Sequence, residues 1–128
     1  MEEKNNPLSP HLQIYKWQIS SLLSIAHRIV GVINIIAITI ICFWSLFLLL
    51  GAESYIMISN FFQSFFGKFI AVGISWTFSF HILNELRHLF WDLGYGFDLR
   101  TAKITGVLAL LGSFVLTILF YLIGKNIF

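Results

Sequence analysis

Charged residues are scarce in this chain. Only 11% of its 128 residues are Asp, Glu, Lys or Arg, which excludes an ordinary soluble domain, where about a quarter are charged. With 58% hydrophobic residues, 17% aromatic residues and a mean hydropathy of +0.85, the chain reads as an integral membrane protein. The eight basic residues are scattered rather than clustered, and a formal charge of +2 is too small to imply a nucleic-acid partner. Cys42 is the only cysteine. An intrachain disulfide and a thiolate metal site are therefore both excluded, and Cys42 reads as a small apolar packing residue. The terminus also lacks the marks of a targeting segment. It opens with Glu2 and Glu3, whereas a secretory signal needs a basic start and a short apolar core, and a mitochondrial presequence needs arginine without acids. The mature chain is accordingly expected to begin at or near Met1.

What the sequence has instead is long runs without charge. From Ile29 to Leu50 no residue is charged, and at about 1.5 Å per residue this run reaches roughly 33 Å, enough to cross a bilayer. The chain is predicted to be a single all-α membrane domain over 1–128. Its parts are a polar N-terminal segment at 1–28 and spans at about 29–50, 69–90 and 104–123. Pro7 and Pro10 give the N-terminal segment an extended or turned path, Tyr55 to Phe66 is expected to be a short aromatic-rich connection, and Gly94 to Thr101 a glycine-punctuated loop. With three spans, Lys4, Lys16, Arg28, Arg87, Arg100 and Lys103 fall on one side of the membrane and only Lys68 and Lys125 on the other. The positive-inside rule puts the N-terminus in the cytoplasm, or in the matrix of a mitochondrion, with Trp17, Trp91 and Tyr95 as interfacial anchors on that side.

Against this background the polar residues of the second span stand out. His81, Asn84, Glu85 and His88 recur at offsets of three, four and seven, which stacks them on one helical face, with Asp92 a turn further. Ionisable groups at membrane depth require a partner or a function. On the first helix, Ser24, His27, Arg28 and Gly31 share a face near the cytoplasmic surface, and His88 and Asp92 reach that depth from the second. Together they offer a polar pocket at the membrane edge, suited to an amphipathic ligand with a polar head and an apolar tail. His81 lies roughly 10 Å deeper than His88 at helical rise, near mid-bilayer. There it can ligate haem iron, relay protons or make one interhelical hydrogen bond, and the stripe alone leaves all three open. Glu85 is expected to be protonated or paired, and Arg87, two residues on, to point elsewhere as an interfacial charge. Ala109 and Ser113 mark a small-residue packing face on the third span.

Three stretches, in order and separated by properly placed spans, carry a resemblance over almost the whole chain. They are Pro7-Leu8-Ser9-Pro10-His11-Leu12-Gln13-Ile14-Tyr15, then Ser24-Ile25-Ala26-His27-Arg28-Ile29-Val30-Gly31, then His81 through Trp91-Asp92-Leu93-Gly94. The chain resembles the cytochrome b membrane-anchor subunit of succinate dehydrogenase, the larger anchor of respiratory complex II. The resemblance implies a three-helix subunit forming half of a heterodimeric haem-binding helix bundle with a second small anchor subunit. The pair would hold a flavoprotein and an iron–sulfur subunit at the cytoplasmic or matrix face. It implies one shared haem b, with His81 as this chain's axial iron ligand and His27, Arg28 and His88 near the propionates. Ser24 and Arg28 match positions lining the ubiquinone site, and Asp92 is expected to help admit protons. In this reading neither His27 nor His88 is level with His81. Where the family usually has a glycine after the asparagine of this motif, the chain has Glu85, which bears on packing beside the haem.

The reaction implied is succinate oxidation at the flavin and ubiquinone reduction at the membrane edge, of which this chain would carry the last part without being an enzyme on its own. Two other classes compete: a proton-relay subunit of a transporter built on His81, Glu85, His88 and Asp92, and a purely structural anchor. A bacterial inner membrane is the expected location, with the mitochondrial inner membrane for an organelle-encoded chain.

Overall fold

The computed structural model describes residues 18–49 and 51–127. The expectations made for the Pro7–Tyr15 motif, Lys4, Lys16 and Trp17 lie outside them. Four helices follow in order: α1 (Ile19–Leu48), α2 (Ala52–Gln63), α3 (Phe65–Asp92) and α4 (Leu99–Ile127). There is no strand among the described residues. α1, α3 and α4 are each long and apolar enough to cross a membrane.

α3 and α4 outrun their expected spans at both ends and α1 at its start, because polar residues at a membrane edge do not stop a helix; only Pro, Gly or a competing cap does. α1 starts at Ile19, ten residues before the charge-free run, directly after an extended Gln18 whose side chain makes no cap bond. The connection expected between Tyr55 and Phe66 is itself mostly helical, as α2. Gly51, with φ of +117°, reverses the chain ahead of it, a conformation that suits glycine. Ser64 separates α2 from α3 and serves both. Its hydroxyl donates to the Phe61 carbonyl at 2.6 Å and accepts from Gly67 N–H at 3.1 Å, ending one helix and capping the next. Gly67 is buried there because any Cβ would overlap the Phe61 backbone.

α3 is the centre of the bundle and touches the other three helices. Leu23, Val30 and Ala37 of α1 recur every seven residues and are all buried, the first two in one cluster with Phe80 of α3, which is 1% exposed. The α3–α4 contact is made of small residues: Gly106, Ala109, Ser113 and Thr117 are all buried, as a membrane helix pair requires when backbones approach closely. Trp76 fills the space beside them, stacked between Phe80 and Phe114 at ring distances of 5.8 and 5.5 Å. Asn34 Nδ2 donates to the Thr77 carbonyl at 3.4 Å and ties α1 to α3. Only about a fifth of each spanning segment is buried within the chain. Lipid or other subunits must cover the remaining apolar surface.

Candidate functional site

The polar residues gather where α1 and α3 cross near their N-terminal and C-terminal halves respectively. The imidazoles of His27 and His81 stack with centroids 4.4 Å apart and planes 16° from parallel. His88 lies tilted against His27 at 5.4 Å. The Glu85 carboxylate reaches both inner rings: Oε1 is 3.2 Å from His27 Nε2 and 3.8 Å from His81 Nε2. The shorter approach lacks hydrogen-bond alignment, so His27 Nε2, like His81 Nδ1, is a buried nitrogen without a hydrogen-bond partner among the described residues. Two unpartnered imidazole nitrogens in one place are costly unless a further ligand engages the cluster.

This stack corrects the expectation that His27 and His81 sit at different depths. Because α1 begins at Ile19, His27 is more than two turns inside the helix rather than at its mouth. The close crossing depends on Gly31, one turn beyond His27. A Cβ at Gly31 would stand 3.3 Å from His81 Cε1, tighter than ordinary van der Waals contact. The glycine that lets helices approach beside His81 is therefore on the opposing helix. Glu85 does not wedge α1 and α3 apart; its side chain is 58% exposed and bends over the rim of the cluster.

The sequence-derived face on α1 divides in two. His27 and Gly31 turn towards α3, while Ser24 and Arg28 are exposed on the neighbouring row of the helix. The stripe on α3 divides as well. Asn84 is 1% exposed and donates from Nδ2 to the Phe80 carbonyl at 3.0 Å, so it packs inward. Asp92, the last residue of α3, is exposed and forms no ion pair among the described residues.

Arg87 and Trp91 were underread from sequence. Arg87 points away from Glu85, as expected, but is buried at 8% exposure: Nε donates to Thr105 Oγ1 at 3.2 Å and Nη2 to the Ala102 carbonyl at 3.0 Å, docking α3 onto α4. Its guanidinium lies 4.1 Å from the centre of the Trp91 ring. Trp91 Nε1 in turn donates to the Gly96 carbonyl at 3.2 Å, and the His88 ring meets the indole edge-on at 5.0 Å. Gly94 and Gly96, at φ of +88° and +82°, give the loop the left-handed bends that bring that carbonyl back. The four-residue spacing of Arg87 and Trp91 was the available signal.

A sequence model of the family described as succinate dehydrogenase/fumarate reductase transmembrane subunit matches residues 2–120. The chain belongs to this family. It is 42% identical to the succinate dehydrogenase cytochrome b556 subunit of Rickettsia felis over 115 residues, covering 90% of each protein. The cytochrome b556 subunit of Paracoccus denitrificans is 34% identical, with 90% of this chain and 88% of that protein covered. The cytochrome b560 subunit of Reclinomonas americana is 35% identical, with 93% and 86% covered. Family membership and the three spanning helices together make this an integral membrane subunit of the succinate dehydrogenase/fumarate reductase type.

Proposed function

We propose that the chain is the cytochrome b anchor of a succinate:ubiquinone oxidoreductase, non-catalytic on its own, holding haem b with a second small anchor subunit. A flavoprotein and an iron–sulfur subunit would dock on the cytoplasmic face. The observation that carries this reading is the His27–His81 stack. His81 is only partly buried, carries no hydrogen bond on either nitrogen, and lies in a groove that the missing Gly31 side chain keeps open. Nδ1 is turned inward against α1, and Nε2 is the nitrogen left to coordinate iron. These residues fit haem. Bound there, the group supplies a one-electron carrier between the iron–sulfur subunit and quinone.

The remaining chemistry belongs to this chain's own side chains. His27 braces the face of the His81 ring, and His27, Arg28 and His88 supply cationic or hydrogen-bonding groups for propionates at the polar end. Ser24 and Arg28, one turn apart and exposed, line the ubiquinone position. The Ser24 hydroxyl donates to a quinone carbonyl, and the Arg28 guanidinium stabilises the negative charge that develops on quinone oxygen before protonation. Asp92, exposed at the end of α3, passes protons inward from water. Six basic residues against two favour a cytoplasmic N-terminus in a bacterial inner membrane, or a matrix N-terminus in an organelle-encoded chain. A proton-relay subunit built on His81, Glu85, His88 and Asp92 is disfavoured, because three spans make a thin-walled path and Ser24 and Arg28 would have no role in it.

The test is a reduced-minus-oxidised visible spectrum of the assembled complex. Wild type is expected to give a sharp low-spin b-type signal that His81→Ala removes. A wild-type complex without that signal would leave a structural anchor.

A further inference from the structure

The opposite end of the bundle carries a second, unassigned site. Where α1 ends and α3 begins, a cavity of about 700 Å³ opens between α1, α2 and α3, walled by Ile40, Phe43, Trp44, Ile74 and Phe78. It adjoins a second cavity of about 1010 Å³ between α2, α3 and α4, and Trp44, Phe62, Ala71, Ser75 and Phe120 line both. The second cavity differs in its mouth, which holds Lys68, Lys125, Gln63, Ser59, Tyr55 and Tyr121. Both lysines are exposed, and neither forms an ion pair among the described residues. Glu53 is the one described carboxylate at this end of the bundle. A cationic, hydroxyl-rich mouth thus opens onto an apolar trough.

We propose that this double cavity is a binding site for an anionic phospholipid, with the phosphate between Lys68 and Lys125 and an acyl chain along Trp44, Ile40 and Phe78. The size lies in the range of ordinary ligand pockets. Charge selects the head, since lysines at a membrane surface attract anionic lipid while their stems lie along apolar surface. Shape selects the tail. The bulky Phe43, Trp44, Phe47 and Phe78 side chains that wall the trough hold a helix backbone off, and the small Ala37, Ala71 and Ser75 among them leave room for an acyl chain. A neutral quinone head would accept hydrogen bonds from the lysines but carries no formal charge to match two ammonium groups, whereas a phosphate does. The site is at the far end from the histidine cluster and does not depend on haem being bound.

The assembled complex in nanodiscs of equal phosphatidylcholine and phosphatidylglycerol, analysed by native mass spectrometry, reads which lipid stays attached. Wild type is expected to retain phosphatidylglycerol over phosphatidylcholine by about tenfold, as two lysines near the surface allow. The doubly substituted Lys68→Gln/Lys125→Gln complex should retain both lipids alike. Ala71→Phe, which fills the wall shared by the two cavities, should retain neither while the subunits stay together. An unchanged phosphatidylglycerol preference in the double variant would overturn the proposal, as would equal retention, or none, in wild type. Displacement of the lipid by added decylubiquinone would also overturn it and identify the trough as a quinone site. The b-type spectrum of the same samples keeps this result separate from the haem reading.

Discussion

The two ends of the bundle are built from opposite materials. At the histidine end, small residues bring helices together: Gly31 admits the His81 ring, and Gly106 lets Leu23 and Arg87 close over α4. At the lysine end, aromatic side chains hold helices apart, and the space they leave is a pair of cavities. Close approach fixes side chains whose orientation matters, such as stacked imidazoles. Separation leaves room for a ligand that needs volume and one charged contact. The same bundle therefore offers two kinds of site, a close-packed one and an open one, without any change of fold.

The sharpest way to break this contrast is at Gly67, the one tight glycine of the lysine end. Gly67→Ala puts a Cβ into the Phe61 backbone, and α2 must leave its seat, at a cost of about 3 kcal/mol, the upper end for overpacking. Protease sensitivity of the α2 segment should rise strongly while the b-type spectrum is unchanged. Arg87→Ala should have the next largest effect, about 3 kcal/mol or less, because it removes two charge-assisted hydrogen bonds between α3 and α4. A lower melting temperature of the detergent-solubilised complex, with a red-shifted tryptophan emission as Trp91 loses its cation, would report it. Arg87→Lys keeps the charge but not the fork, and should recover only part of the loss.

A matched pair sharpens the comparison further. Gly31→Val crowds the His81 ring, whereas Gly73→Val, on the same bundle, introduces a side chain with nothing within 4 Å of its Cβ. The first should broaden or shift the b-type band and the second should not, by low-temperature absorbance. The smallest effect is expected from Ser64→Ala, which removes the cap of α3 for about 1 kcal/mol, read as a modest fall in melting temperature.

How much of this was legible beforehand follows from where each signal resides. The three spans were visible because absence of charge over some twenty residues is a local property of sequence. The packing face at Ala109 and Ser113 was visible for a similar reason, since small residues four apart share a face. α2 is not visible in the sequence because Tyr55 to Phe66 has neither charge nor a clean helical period, and its seat depends on Ser64 and Gly67 meeting the Phe61 carbonyl. The depth of His27 cannot be read from the charge-free run, because Ser20, Ser21, Ser24 and Arg28 all continue the helix ahead of it. The burial of Arg87 is not readable locally, because its partners, Thr105 and Ala102, are on another helix and no local pattern announces them. Which of the motif residues face each other is a tertiary fact.

The proposed haem ligand is the imidazole at position 81, held over Gly31. Its most direct test is chemical rescue: the reduced-minus-oxidised spectrum of the assembled His81→Gly complex, before and after addition of free imidazole. The account predicts that the low-spin b-type signal is lost in the variant and returns with imidazole, which can occupy the space left by the missing side chain. A signal that persists in His81→Gly without imidazole would contradict it.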